Sequence, residues 1–315
     1  MFRVDDATAA PSLPSPEAVG TPGYFTEGNA AAGTPATNVR ASWLNMLQEE
    51  MMSILAAGGI TPSKTTYTQI RDAIKAYVGP GRLLRTLVYF NSGGTQYLSV
   101  NGGAATTTGA TVYTPSAGLG SAYVQVQGAG GGGGGTAATS TGQYAIGSGG
   151  ASGSYGSSYL TAAQIGASQA ITVGTAGAFG GANGNGGTGG SSSFGSLISA
   201  PGGNGGPVGL ATSSTSSLQY GAQPGAAATG GNIVSTYGMQ GVTGSITGSL
   251  FVSGAGGGSP IFGGSGGGKF VSGNGTGQPA GALGAGGGGA AIGPSSAAST
   301  GGYGAGGIII IQEYA

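Results

Sequence analysis

The chain has 315 residues, of which 76 are glycine, and its 8 basic and 8 acidic residues give a formal net charge of zero. It contains no cysteine and no histidine, which excludes a disulfide framework, a thiolate site and an imidazole base. It offers no basic stripe for nucleic acid, and beyond Arg85 only Lys269 and Glu313 are charged. We therefore expect no catalytic residues, no metal or cofactor site, no enzymatic activity and no nucleic-acid partner.

Residues 1–36 contain five prolines among small side chains. This predicts an extended arm, because proline favours extended geometry at its own position and at the preceding residue. A disordered tail is the alternative. Asp5 and Asp6 stand where a secretory signal would need an apolar core, and no apolar run approaches the ~20 residues that cross a bilayer. We expect neither an export signal nor a membrane span.

Residues 37–80 are predicted to be helical. The first helix follows Thr37 and stops at Gly58 and Gly59, which suit a left-handed cap. Four of its apolar residues recur at spacings of three, four and three, as in the seam of a coiled coil. These seam residues are Leu44, Leu47, Met51 and Ile54. The helix either packs within a small domain or, as we favour, associates with other copies of the chain in a short parallel bundle.

A second helix and a small β region are predicted before the glycine-rich part of the chain begins. The helix starts at Thr66, where Thr66 and Gln69 fit a capping box, and it stops at Gly79-Pro80. Residues 81–127 alternate apolar and polar side chains between glycine-containing turns, which is typical of short strands. The predicted strands are residues 83–90, 96–100, 110–114 and 122–127.

Residues 128–315 form a glycine-rich body whose glycine clusters alternate with stretches such as ITVG and SLFVSG. A flexible linker would not interrupt itself in this way. Extended glycine helices have no internal hydrogen bonds, so buried ones must bond to each other side by side. A strand at 307–314, containing the isoleucine run Ile308 to Ile311, is predicted to close the body and to pair with residues 122–127.

The predicted fold class is therefore mixed and made of several parts. It combines an extended arm, short α-helices, a small β base and a body of packed polyglycine II-type helices, in a fibrous homotrimer. Disorder is the alternative for the body. The segment from Gly263 to Lys269 matches the spacing of a phosphate-binding loop, but Phe270 stands where a serine or threonine should hold magnesium. We expect no nucleotide site there.

Two parts of the sequence resemble tail fibre proteins of tailed bacteriophages. Residues 11–78, with GTPGYFTEGN and LQEEMMSILAAGGITPSK, resemble the N-terminal attachment region of these fibres. The body, with AYVQVQGAGGGGGG at its start and GGYGAGGIIIIQEYA at its end, is similar to the glycine-rich domain at their tips. The chain departs from a long fibre in having almost no shaft.

The resemblance implies a homotrimeric receptor-binding protein that is made in the host cytoplasm and carried on the tail of the virion. Residues 1–80 would dock on baseplate or tail proteins. The tip would contact a bacterial surface receptor, either a polysaccharide or an outer-membrane protein. A purely structural glycine-rich fibre or coat component without receptor binding is the alternative function.

Receptor contacts are expected in three segments between the glycine clusters, namely residues 144–159, 208–223 and 232–250. Tyrosine suits such contacts because it offers a rigid ring and a hydroxyl at little entropic cost. For each tyrosine the alternative is a packing residue that covers the glycine-rich scaffold. The candidate contact residues are Tyr144, Tyr155, Tyr159, Leu218, Tyr220, Tyr237 and Met239.

Overall fold

The computed structural model describes residues 2–78, 81–262, 266–268, 271 and 273–315. The chain divides into two compact units, Met1–Arg82 and Leu83–Ala315. The first, unit 1, is extended and helical. The second, unit 2, consists mainly of strands and of the glycine-rich segments that connect them.

The described residues of unit 1 form one short 3-10 turn and two helices, and the first predicted helix is present. These elements are the 3-10 turn Ala30–Ala32, α1 (Ala41–Ala57) and α2 (Gln69–Val78). Helix α1 ends where the Gly58 amide donates to the Ile54 carbonyl at 3.0 Å. Gly59 then takes a φ of 66°, a left-handed conformation that glycine adopts without steric cost.

The two helices approach closely at Gly58. A Cβ added to Gly58 would lie 2.6 Å from the Ala73 Cα atom, so only glycine fits against α2 here. Leu55 and Ala73 are buried in this contact region. Helix α2 begins at Gln69, three residues after its predicted start, and the Gln69 side-chain amide donates to the Thr61 carbonyl at 2.7 Å. The predicted stop at Gly79-Pro80 lies outside the described residues.

Unit 2 contains fifteen described strands and one short helix. The strands are β1 (Leu83–Ser92), β2 (Thr95–Val100), β3 (Val112–Tyr113), β4 (Ser121–Gln127), β5 (Ala145–Ile146), β6 (Tyr155–Thr161), β7 (Gln169–Thr172), β8 (Ser192–Phe194), β9 (Ile198–Ala200), β10 (Ser216–Gln219), β11 (Val234–Thr236), β12 (Gly244–Thr247), β13 (Leu250–Val252), β14 (Ala291–Ile292) and β15 (Ile308–Tyr314). The helix, α3 (Ala162–Ile165), follows β6 directly.

The largest sheet has six strands in the order β11-β6-β4-β15-β1-β2, and all neighbouring pairs are antiparallel. The isoleucine strand β15 lies between β1 and β4, with Ile309 opposite both Tyr89 and Val126. The pairing predicted between the end of the chain and residues 122–127 is therefore present. A second pairing, between β15 and β1, places the first and last strands of unit 2 side by side.

One face of this sheet carries the main hydrophobic core. Ile309, Val124 and Val126 on this face are fully buried, and they share a cluster with residues of the four-stranded sheet β3-β7-β8-β9. Tyr113 and Phe194 from that second sheet pack with ring centroids 5.3 Å apart. A smaller cluster lies between the three-stranded sheet β10-β12-β13 and the pair β14-β5, where Ile146, Ile246, Phe251 and Ala291 are buried.

The predicted fold class, with its fibrous body of packed polyglycine II-type helices, is wrong. The chain is 25% strand and 11% helix, and its strands form several antiparallel sheets. The physical reason is that the stretches between the glycine clusters carry β-branched and aromatic side chains, which favour strands. ITVG contributes to β7, and SSFGSLIS contributes to β8 and β9.

The glycine-rich segments between the strands are held by backbone hydrogen bonds. Residues 128–136 are all buried. Three successive amides in this segment donate to three different parts of the chain at 2.9 Å, Gly131 to the Ala151 carbonyl, Gly132 to that of Gly187 and Gly133 to that of Gly302. Satisfied in this way, buried backbone groups avoid the penalty of lost hydration. The segments therefore form a fixed support for the strands.

Candidate functional site

The four seam residues lie along α1 and are only partly covered within unit 1. Leu44 and Leu47 are 52% and 36% exposed, whereas Met51 and Ile54 are half-buried. The remaining apolar surface of α1 includes Trp43, whose ring contacts Phe25 of the arm edge-on at 5.0 Å. An apolar stripe is thus left uncovered on the single chain. Association of copies through this stripe stays a prediction.

The start of the arm is fixed to the helical part of unit 1 by two ion pairs. Arg3 Nε lies 2.7 Å from Glu49 Oε1 in α1, and Lys64 Nζ lies 2.6 Å from Asp5 Oδ2. The pKa of Glu49 lies below its usual value mainly because Arg3 donates hydrogen bonds to it. The pKa of Asp5 is lowered mainly by the hydrogen bonds from Lys64. Both carboxylates therefore titrate at a lower pH than an unpaired carboxylate of the same type.

The first predicted contact segment contains strands β5 and β6 and is not a simple loop. Tyr155 in β6 is only 6% exposed, and its hydroxyl donates to Gln125 Oε1 at 3.0 Å. Tyr144 is half-buried against Phe251, with ring centroids 5.4 Å apart. Tyr159 is 46% exposed. Of these three tyrosines, Tyr159 offers the most surface to a partner.

The second segment places Leu218 and Tyr220 on the outside of the three-stranded sheet. Leu218 is 60% exposed and Tyr220 is 69% exposed. Side chains alternate between the two faces of a strand. Leu218 in β10 pairs with Ser245 in β12, so these two side chains lie on the same face of the sheet. Ile246, the next residue of β12, lies on the other face and packs in the smaller core cluster. Leu218 therefore lies on the face of the sheet that points away from this core, where 60% of it is exposed.

The third segment exposes Tyr237 and Met239 just after strand β11. Their exposed fractions are 63% and 54%. The backbone beneath them is fixed, because the Met239 amide donates to Ser152 Oγ at 2.7 Å and the Met239 carbonyl accepts from the Ser152 amide at 2.9 Å. The Gly241 amide also donates to the Ala222 carbonyl at 2.9 Å. The residues that follow Tyr220 therefore lie next to the residues that follow Met239.

Charge in unit 2 is confined, among the residues that the structure describes, to Arg85 and Glu313. They bind each other, with Arg85 Nε 2.8 Å from Glu313 Oε2, and the Glu313 side chain is fully buried. Burial raises the pKa of Glu313, but hydrogen bonds from Arg85 and Ser116 outweigh it and hold that pKa below its usual value. Burial raises the pKa of Tyr89 to about 12. The pair joins two strands and offers no second carboxylate for acid–base chemistry.

In the described parts of the chain, no three acidic, cysteine or histidine side chains lie close enough to hold a metal ion. None of the helices described has the length and apolar character of a membrane span. Lys269 and Phe270, which complete the sequence match to a phosphate-binding loop, lie outside the described residues.

No family model matches the chain. It is similar to the "Uncharacterized protein StfP" of Escherichia coli (strain K12), with 40% identity over 52 residues. The matched stretch is 16% of this chain and 25% of that protein. The chain thus spans about a quarter of the length of the curated relative that it matches.

Sequence reasoning did not single out two residues on the face that carries Leu218, although one of them, Leu250, is the last residue of the third predicted segment. Leu250 is 57% exposed and Val271 is 59% exposed. The register across β10, β12 and β13, continued by the bridge between Val252 and Val271, brings them to the same side of the sheet. The stretch SLFVSG does alternate as a strand should, so its pattern indicates that Leu250 and Phe251 face opposite sides. Only the pairing register of the strands in the structure shows which of these two faces is exposed.

Proposed function

We propose that the chain is a bacteriophage tail-fibre protein that binds a bacterial surface receptor. In this proposal unit 1 attaches the protein to the tail or baseplate of the virion, and unit 2 contacts the receptor. The partner classes are phage tail proteins for residues 1–80 and a polysaccharide or outer-membrane protein for unit 2. The protein is made in the host cytoplasm and resides on the virion tail, and it performs no catalytic step.

The similarity to StfP supports the first part of this proposal, because that name is of the prophage side-tail-fibre type. The match covers only a quarter of StfP. The attachment and receptor-binding roles are therefore proposed from the residues of this chain and not from StfP.

The observation that carries the receptor-binding role is the display of large uncharged side chains on a fixed scaffold. Leu218, Tyr220, Tyr237 and Met239 are each more than half exposed. Their backbone is tied down by hydrogen bonds to Ser152 and to neighbouring glycine-rich segments. Rigid aromatic and apolar residues lose little entropy on binding, which favours recognition surfaces of this kind.

Association of three copies through unit 1 is supported by the apolar stripe of α1, in which Leu44 and Leu47 are 52% and 36% exposed. A homotrimer that joins three such helices would cover Leu44 and Leu47. It would also present three copies of unit 2, and simultaneous engagement of several copies multiplies a modest affinity for a surface receptor.

The direct test is binding of the fluorescently labelled full chain to a panel of Escherichia coli strains, measured by flow cytometry. The wild-type protein should bind at least one strain. A variant with Leu218→Ala, Tyr220→Ala, Tyr237→Ala and Met239→Ala should bind that strain about tenfold less, because a few central residues carry most of the energy of an interface.

The matched control is Val112→Ala, which also removes part of an exposed apolar side chain in unit 2 and should leave binding unchanged. Binding to no strain would contradict the proposal, as would equal binding by the fourfold variant and the wild type.

A further inference from the structure

Strand β10 directs part of its backbone away from its partner strand β12, at one edge of the three-stranded sheet. In an antiparallel ladder, residues that bond to the partner alternate with residues whose amide and carbonyl point the other way. The Gly248 amide donates to the Thr215 carbonyl at 2.8 Å, so every second residue counted from Thr215 bonds to β12. The amides and carbonyls of Ser216, Leu218 and Tyr220 therefore point outward. We refer to these outward groups as the β10 edge.

The β10 edge is closed at its first residue and open at the other two. Ser214 Oγ donates to the Ser216 carbonyl at 2.7 Å and accepts from the Ser216 amide at 3.3 Å. Among the residues that the structure describes, none forms a hydrogen bond with the outward amide and carbonyl of Leu218 or of Tyr220. Because these two residues are 60% and 69% exposed, a partner can reach this stretch of the strand.

Four other sheet edges of unit 2 are covered by neighbouring residues. Strand β2 is bridged by Thr106, β9 by Thr229 and β13 by Val271. At β11, the Thr236 carbonyl accepts from the Ala228 amide at 3.2 Å. Proteins also protect sheet edges with proline or charged side chains, but β10, with the sequence SSLQ, has neither. The β10 edge thus differs from these four in lacking protection.

The spacing of the open groups matches that of an extended polypeptide. Leu218 and Tyr220 each offer one amide and one carbonyl, and residues two apart in a strand are separated by about 6.8 Å. An antiparallel strand supplies the complementary carbonyl and amide at the same repeat. The hydroxyls of a sugar chain have no fixed pairing of donor and acceptor at this repeat. Addition of an extended segment to a sheet edge is a general mode of peptide recognition.

The side chains around the edge select the composition of such a segment. Leu218 and Tyr220 lie on the same face of β10, so alternate residues of an added strand would lie beside them, where apolar and aromatic side chains pair well. Residues 208–250 contain no charged residue. An ionised side chain in the added strand would therefore lose hydration without gaining a counter-charge.

A second copy of the chain is a poorer occupant of the β10 edge than another protein. Two β10 edges could pair with each other in antiparallel fashion around a two-fold axis. The trimer proposed above has a three-fold axis, and its three edges cannot all pair with one another. Pairing between copies would instead link separate trimers, which doubles the mass of the particle in solution.

We propose that the β10 edge binds an extended, uncharged polypeptide segment as a fourth strand of the three-stranded sheet. This makes a surface protein, and not a polysaccharide, the receptor class for unit 2. The inference rests on the proposed function only in placing that segment on the surface of the bacterium.

The first test uses the purified full chain and the synthetic peptide Ser-Val-Thr-Tyr-Thr-Val-Ser, blocked at both ends. Saturation-transfer NMR should show binding with a Kd on the order of 1 mM. The amides of the valines and the tyrosine, whose side chains would lie beside Leu218 and Tyr220, would face β10. Methylation of these amides should weaken binding about tenfold, because it removes the donors. Methylation of the two threonine amides, which face away, is the matched control and should leave the Kd unchanged.

The second test changes the protein. Leu218→Pro removes the outward amide, and an edge strand tolerates proline where the amide does not face the neighbouring strand. It should weaken binding of the unmethylated peptide about tenfold. Leu218→Ala, the matched control, keeps the amide and should bind within about threefold of the wild type. A thermal melt shows whether each variant is folded, and the methylated peptides decide the question if Leu218→Pro is not.

On a strain that binds the wild type, Leu218→Pro should bind cells about tenfold less than Leu218→Ala does. Three results would overturn the inference: the unmethylated peptide does not bind, the two methylated peptides bind equally, or folded Leu218→Pro binds cells as well as Leu218→Ala. A wild-type mass twice that of Leu218→Pro would also overturn it, by showing a second copy on the edge.

The proposed function would survive each of these results, because binding of the wild type to cells is measured separately. Conversely, peptide binding without binding to any strain would refute the proposed function and leave the β10 edge as a peptide site.

Discussion

Arg85 and Glu313 are 228 residues apart in the chain and form a two-pronged ion pair between strands β1 and β15. The distances from Arg85 Nε to Glu313 Oε2 and from Arg85 Nη2 to Glu313 Oε1 are both 2.8 Å. Arg85 also donates to the Thr114 carbonyl at 2.5 Å, and Ser116 Oγ donates to Glu313. This pair ties the first strand of unit 2 to its last.

Arg85→Met should lower the free energy of unfolding of unit 2 by about 3 kcal/mol, because it leaves a fully buried carboxylate without its cation. The double variant Arg85→Met with Glu313→Gln should lose less than Arg85→Met alone, since the unpaired charge is removed. Urea unfolding measures both values. A double variant that is less stable than the single one would contradict this account of the pair.

The same pair predicts how stability depends on pH. The pKa of Glu313 in the folded chain lies below its usual value, so the contribution of Glu313 is present above about pH 4.3, the ordinary pKa of a glutamate. It is lost as the pH falls through the lower pKa of the folded state. Glu313→Gln should therefore flatten the acid side of the stability profile. An identical acid profile for the variant and the wild type would contradict the assignment.

Elements with strong local patterns could be predicted from the sequence. The spacing of apolar residues and the two glycines that follow predict α1, and the four consecutive isoleucines predict β15. Strand β6 could not be predicted, because YGSSYLT resembles the serine- and glycine-rich stretches around it. Its identity as a strand depends on pairing with β4 and β11, which is set by the register of the whole sheet.

The same limit applies to the candidate contact residues. Tyr155 and Tyr159 lie in one strand on the same side, yet Tyr155 is buried and Tyr159 is 46% exposed. The local sequence cannot distinguish the two tyrosines, because their exposure depends on which residues from distant parts of the chain cover each ring. Nor can composition place the strands of two to four residues in the body, since such short runs carry too little periodicity.

The glycine-rich support leads to a prediction at Gly133. A Cβ at this position would overlap the Gly288 carbonyl, so Gly133→Ala should lower the free energy of unfolding by about 3 kcal/mol through overpacking and distorted hydrogen bonds. Gly181→Ala is the matched control, because no atom lies within 4 Å of its added Cβ. Equal urea midpoints for the two variants would show that residues 128–136 are not packed as described.

The uncovered stripe of α1 leads to a prediction about assembly. We expect the full chain to be a trimer at micromolar concentration, and Leu44→Asp with Leu47→Asp should convert it to a monomer by placing charges in the seam. Sedimentation equilibrium measures the mass. Tyr67→Asp, at a position that is 95% exposed in unit 1, controls for added charge and should stay trimeric. A monomeric wild type would contradict the seam.

The central claim is that unit 2 determines which bacterium the protein binds and that unit 1 attaches the protein to the phage particle. It is tested most directly by the host range of phage particles in which residues 208–223 and 232–250 are exchanged for those of a related fibre. We predict that host range changes while assembled particles retain the protein, and that deletion of residues 1–57 yields tailed particles without it. Unchanged host range together with loss of assembly on the exchange would contradict the claim.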